Sequence, residues 1–233
     1  MATPDDGSQT RLIFENQGLH ALLLAALLGG AYFLAGIEGF RSGSLWGIGT
    51  PFWFWLAIWL AVAHQLYVWF CWRMQLHARL LTRWFGGRAF EVYAVVFALI
   101  GISRVLAVFA VAISNRDTLH VDLVAVRLLA VIVLIPAIYL FYSVRRYFTF
   151  RRAFGIDHFD PSARTLPLVR DGIFRFTANG MYLFGFFLLW FAGLWWVSLA
   201  GLGAALFNHL YIWVHYYATE RPDMRRIYGS TGT

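Results

Sequence analysis

The chain has 233 residues, of which 60% are hydrophobic and 13% charged. Soluble domains are nearer half apolar and a quarter charged, so the composition excludes an ordinary soluble domain and points to a single integral membrane domain over residues 1–233. The formal charge is +7, every basic residue is an arginine, and these arginines flank apolar runs without any nucleic-acid-binding motif; the charge reads as membrane topology, and nucleic acid is not an expected partner.

The first 15 residues carry Asp5, Asp6 and Glu15 against Arg11, the wrong balance for a cleaved leader, so the first apolar run reads as a retained anchor. A membrane-crossing helix needs about 20 apolar residues. Leu19 to Gly36 is the first such run. Pro51 to Trp72 is the second, with proline at the start, where its missing N–H costs least. It contains Cys71, the only cysteine, so neither a disulfide nor a cysteine-based metal set is available within the chain. Val92 to Ser114 and Val121 to Ser143 follow, the latter with Pro136 as a kink point. Residues 144–177 form a polar connector. Ala178 to Thr219 is apolar enough for two arms of a hairpin turning near Gly193 to Ser198, with Trp195 and Trp196 suited to an interface. The expected fold is all-α: a multi-pass transmembrane helix bundle of five to six spans, with four N-terminal spans in residues 1–143 and a C-terminal helical hairpin and tail in residues 178–233.

Arginine placement orients the bundle. Arg73, Arg79, Arg83 and Arg88 follow the second run, seven arginines lie between Arg145 and Arg175, and Arg221, Arg225 and Arg226 follow the last; the opposite loops hold Arg41 and Arg116. Both termini are therefore expected on the cytoplasmic side, of a bacterial inner membrane.

Polar residues within apolar runs mark the positions of interest. His64 and Gln65 lie in the second span and are expected to line a tunnel or form an interhelical hydrogen bond. Arg104 and Arg127 need partners, and Asp122 is a candidate for one of them. Asp157, His158 and Asp160 in "GIDHFD" read as a solvated loop or lid rather than a metal site, because no further ligand is near in sequence; no metal is expected.

The stretch "LVRDGIFRFTANGMYLFG", residues 168–185, sets Arg170, Asp171, Arg175 and Asn179 at the lip of the hairpin. Asn179 is expected as a helix N-cap, and the helix start with Gly172 and Gly180 as a place where a carboxylate or phosphate can approach the backbone. At the other end of the hairpin, Asn208, Ile212, His215 and Thr219 share one helical stripe, and His209, Trp213, Tyr216 and Glu220 the adjacent one. A hairpin brings these ends together, so Asn179, Tyr182, His215 and Glu220 are expected to converge.

"LVRDGIFRFTANGMYLFG" followed by "ERPDMRRIYG" resembles the membrane methyltransferases related to isoprenylcysteine carboxyl methyltransferase and phospholipid N-methyltransferases. Pro167, Leu168, Gly172, Phe174 and Arg175 match the first part of the pattern, Met181 and Tyr182 the second, and Glu220, Tyr228 and Gly229 the last. The family's Arg-His-Pro is replaced by Ala178, Asn179 and Gly180, and its second glutamate by Arg221. The resemblance covers residues 165–229. It implies S-adenosyl-L-methionine bound near the cytoplasmic face and a lipid-like or amphiphilic acceptor entering from the bilayer. It assigns cofactor contacts to Gly172, Arg175, Asn179, Gly180, Met181, Tyr182, His215, Tyr216 and Glu220, and catalytic roles to His215 and Glu220. Replacing Tyr182 is expected to weaken cofactor binding more than replacing Tyr93. Two other readings stay open: an NADPH-dependent reductase, since sterol-reductase families share a related hairpin, or a non-catalytic membrane subunit.

Overall fold

The computed structural model describes residues 6–229; Asp5 lies outside them. Its elements are helices, apart from a two-residue antiparallel pairing of Ser44–Leu45 with Ile48–Gly49. That pairing turns through Trp46 and Gly47, both at positive φ, as the tightest hairpin turn requires. A short helix α1 (Asp6–Ile13) precedes α2 (Gln17–Gly36), α3 (Thr50–Ala78), α4 (Ala89–Ser114) and α5 (Leu123–Ser143). The hairpin is built from α6 (Gly180–Phe184) and α7 (Phe187–Trp195) on the way in and α8 (Leu199–His215) on the way out, and α9 (Arg221–Tyr228) closes the described chain.

Among the described residues, four stretches, Gly7–Gly36, Thr50–Ala78, Leu80–Ser114 and Leu123–Phe148, are long and apolar enough to cross a membrane. The hairpin arms are shorter. The 17 residues of α8 rise roughly 25 Å, less than a bilayer core of about 30 Å. The bundle thus has four full-length helices with a shorter pair inserted among them. The second run extends six residues past its apolar boundary, because α3 continues from Trp72 to Ala78. Pro136 lies inside α5.

The central core is rich in small residues. Ala57 and Ala61 of α3, Ala107 of α4 and Ala200, Ala204 and Ala205 of α8 are all buried and let the helix backbones approach closely, the usual device where lipid removes the hydrophobic drive between helices. Gly203 shows how close: a Cβ there would stand 2.5 Å from the Phe40 ring.

Each end of the bundle is fastened by one buried polar side chain. At the end with few arginines, Asn115 donates to the carbonyls of Gly39 (2.8 Å) and Ser42 (2.9 Å). Its own carbonyl accepts from the Ala200 amide (2.8 Å) and the Ser198 hydroxyl (3.0 Å), which ties the hairpin tip to the loop after α2. At the arginine-rich end, Arg73 is fully buried in α3 and pairs with the fully buried Asp223 of α9 at 2.8 Å. The same guanidinium donates to the carbonyls of Leu12, Ala218 and Thr219. Pro222 explains part of this. Having no N–H, it cannot bond the carbonyl four residues back, that of Ala218, and Arg73 supplies the missing donor.

Removing one partner of a buried ion pair leaves an uncompensated charge and costs about 3–5 kcal/mol. Arg73→Met is expected to lower the thermal midpoint in detergent, followed by tryptophan fluorescence, and to speed tryptic cleavage at Arg225 and Arg226. Adding Asp223→Leu is expected to restore most of the loss.

Candidate active site

The wide π-helical turn Tyr216–Glu220 links α8 to α9, a local geometry often found at functional sites. It separates the two stripes of α8. Glu220 swings toward the start of the hairpin, where the Tyr182 hydroxyl donates to its carboxylate. The Tyr182 ring lies 5.1 Å from Tyr216 and 5.9 Å from Trp213, and Trp213 meets Tyr216 edge-on at 5.7 Å. The Asn179 side chain lies near Tyr216. Asn179, Tyr182, Trp213, Tyr216 and Glu220 therefore form one cluster. Burial pushes the Glu220 carboxyl up to about 7, with Asp223 and Asp157 pushing the same way and the Tyr182 hydroxyl opposing them.

The other residues singled out in the sequence take different places. Asn179 stands at the N-cap position of α6, but its side chain makes no cap bond and lies near Tyr216 instead; its backbone carbonyl accepts from Tyr182 and Leu183. Gly180 is buried, and a Cβ on it would lie 3.4 Å from Ile173 and 3.7 Å from Phe174. Met181 packs with Leu140, Val144, Ile173 and Phe174 at the end of α5. Gly172, at φ +60°, approaches Ser143 so closely that a Cβ would stand 2.5 Å from its hydroxyl oxygen, and the neighbouring Ile173 amide donates to that oxygen. Gly172, Gly180 and Met181 thus seat the hairpin entrance on α5. Arg175 is exposed beside the Phe176 ring.

His215 is buried one layer behind the cluster. Its ring lies 5.9 Å from Trp72 and 6.4 Å from His20, and neither ring nitrogen has a hydrogen-bond partner. Its stripe neighbour Thr219 meets Gln17 at 3.4 Å, while Asn208 faces α4.

Several site neighbours were not apparent from the sequence. Trp72 donates to the Tyr93 hydroxyl at 2.8 Å and stacks on His158 at 4.1 Å. Tyr93 is fully buried and within electrostatic reach of Glu220 and Tyr182, so it belongs to the surroundings of the cluster and is no remote reference for Tyr182. Asp157 and His158 are buried as well, which overturns the solvated-loop expectation for "GIDHFD": His158 is held between the Trp72 ring and Asp223, at 3.5 Å. Burial raises the Asp157 pKa, and the nearby Tyr228 hydroxyl opposes that shift. Tyr228, from the closing motif, thus stands beside the 156–158 turn. Among the described residues, no three His, Cys, Asp or Glu side chains are grouped as a metal site.

Asp122 partners neither membrane arginine; it caps α5, accepting from the Ala125 amide at 2.7 Å. Arg127 lies over the Trp195 ring. Arg104 bonds Asn208 instead, through its side-chain oxygen (2.5 Å) and its carbonyl (3.3 Å). Arg221, where the family pattern has its second glutamate, lies over Tyr217.

No curated protein and no solved structure matches the chain. A family model does: that of phospholipid methyltransferases, over residues 121–231. The matched segment runs from α5 through the connector and the hairpin to α9 and so contains the whole Asn179–Glu220 cluster, whereas Trp72, Arg73 and Tyr93 come from outside it. The resemblance in "LVRDGIFRFTANGMYLFG" and "ERPDMRRIYG" is thereby upheld: residues 121–231 of this chain, with its long apolar helices, match the phospholipid methyltransferase family model.

Proposed function

We propose that the chain is an S-adenosylmethionine-dependent methyltransferase acting on an amphiphilic, lipid-like acceptor, with its arginine-rich end and both termini in the cytoplasm. The observation that carries this reading is the convergence of Glu220, Tyr182, Tyr216, Trp213 and Asn179 at one end of the hairpin.

The residues suit the cofactor's chemistry. It bears a sulfonium, an ammonium, a carboxylate and a ribose, and when bound it supplies a methyl carbon activated by the adjacent positive sulfur. Three aromatic rings offer π-faces to a cation. Glu220 offers a carboxylate to an ammonium or to ribose hydroxyls, and the Asn179 amide offers a donor to the carboxylate. These residues bind and orient the donor. Methyl transfer is an in-line displacement, so alignment and exclusion of water account for much of the rate. The packed aromatic surround serves both. An amine acceptor attacks only when neutral, and Glu220, poised near neutral pH, is suited to take its proton; His215, buried one layer behind, is the second candidate.

Two measurements test this. In detergent, S-adenosylhomocysteine at about 100 times its Kd is expected to stabilise the protein by roughly 2.7 kcal/mol, with no shift from NADPH. The reverse pattern would establish the reductase reading, and silence from both the non-catalytic one. The second is pH dependence. The Glu220 pKa is raised, so the carboxylate form is lost as pH falls through about 7. S-adenosylhomocysteine is expected to bind about tenfold more weakly at pH 6 than at pH 8, a single-ionisation profile that Glu220→Gln flattens while lowering affinity at pH 8.

A further inference from the structure

A second polar site lies deeper in the bundle. A cleft of about 160 Å³ runs between α4, α5 and the hairpin, lined by His64, Gly101, Arg104, Phe141, Gly185 and Phe186 among others. Phe141 at its edge is 47% exposed, so the cleft opens on the lipid-facing surface. Most of the lining is apolar, but two side chains are not. Arg104 carries a full charge in the middle of a span, and its recorded partners are all neutral: Asn208, His64 and the Phe186 ring. An intramembrane charge without a counter-charge marks a functional position. His64 accepts from Arg104 on Nδ1 at 3.4 Å, which leaves the proton on Nε2, and that buried Nε2 has no partner. Gly101 faces this edge of the imidazole; a Cβ there would lie 3.5 Å from Cε1 and 3.9 Å from Nε2. The cleft therefore presents a cation and an unused N–H donor to whatever enters from the bilayer, and such an occupant must bring an acceptor oxygen.

Depth identifies the class. Arg104 sits over Phe186, one helical turn beyond Tyr182, and the cleft continues to Leu189. At 1.5 Å per residue this is about 6–10 Å deeper than the Tyr182–Glu220 cluster. In a diacyl glycerophospholipid, the headgroup nitrogen and the ester carbonyl are separated by about eight bonds, a span of roughly 10 Å when extended. We infer that the cleft holds the acyl-ester carbonyl of a glycerophospholipid acceptor, received by Arg104 and His64, while its headgroup lies at Glu220. This rests on the methyltransferase reading for the identity of the headgroup site. The carbonyl site stands on its own geometry.

The test uses binding rather than turnover, so it can fail independently of the cofactor experiments. The probes are dioleoyl phosphatidylethanolamine and its dialkyl-ether analogue, which lacks both carbonyls, titrated into the full chain in detergent and read by native mass spectrometry. The ester lipid is expected to bind about tenfold more tightly, the usual worth of a hydrogen bond to a charged group. Gly101→Leu, which fills the cleft beside Nε2, and His64→Leu, which removes the donor, are each expected to erase the ester preference. Equal binding of the two lipids to the unaltered protein, or an ester preference that survives both substitutions, overturns the carbonyl site. Glu220→Gln is expected to weaken the ester lipid as well, since one molecule spans both positions. Unchanged binding in that variant would reduce the occupant to a bystander lipid and overturn the acceptor assignment.

Discussion

Arg73 is a charge that α3 carries past the end of its apolar run into a place without water. A guanidinium there must meet an anion and enough acceptors, and the C-terminal turn supplies them. Asp223 neutralises it, and the carbonyls of Ala218 and Thr219, the first of them orphaned by Pro222, take up its N–H groups. The π-helical turn from Tyr216 to Glu220 is held from behind by this contact. With the Gln17–Thr219 contact, it helps set the direction in which Glu220 leaves α8. The Tyr182–Glu220 hydrogen bond, the aromatic cluster and the raised Glu220 pKa all follow from that direction.

The elements that the sequence made legible are those governed by one-dimensional signals. Apolar runs of membrane length returned the four long helices within a few residues, and the Gly193–Ser198 region is where the hairpin turns. The pairing of Tyr182 with Glu220 was also readable, because a hairpin of nearly equal arms must bring its ends together. What could not be read was any contact made at a distance by a buried polar side chain. Arg73 looked like the first of a run of interfacial arginines, yet it is the one turned inward. Asp122 read in the sequence as a candidate partner for a membrane arginine and is an N-cap in three dimensions. "GIDHFD" has the composition of a wet loop, but Trp72 and Asp223 give its histidine a buried seat. One clue was available for the α9 contact: Asp223 follows Glu220 by three residues, on the same face of any helical turn.

The segment that matches the methyltransferase family holds the cluster but not all of its surroundings. Trp72, Arg73 and Tyr93 belong to the preceding helices, and they supply the wall behind Glu220. The hairpin is therefore not a self-contained unit, and its cluster is walled by helices that carry no motif. This also accounts for the differing fates of the residues in the family pattern. Glu220 and Tyr182 face the cluster, whereas Gly172, Gly180 and Met181 seat the hairpin on α5 and Tyr228 stands beside the 156–158 turn.

Asn115 anchors the end of the bundle remote from Glu220. It stitches the hairpin tip to the loop after α2 through buried hydrogen bonds. The two arms cannot part at that end without breaking those bonds, so any parting of them beside the Tyr182 ring must pivot on the tip.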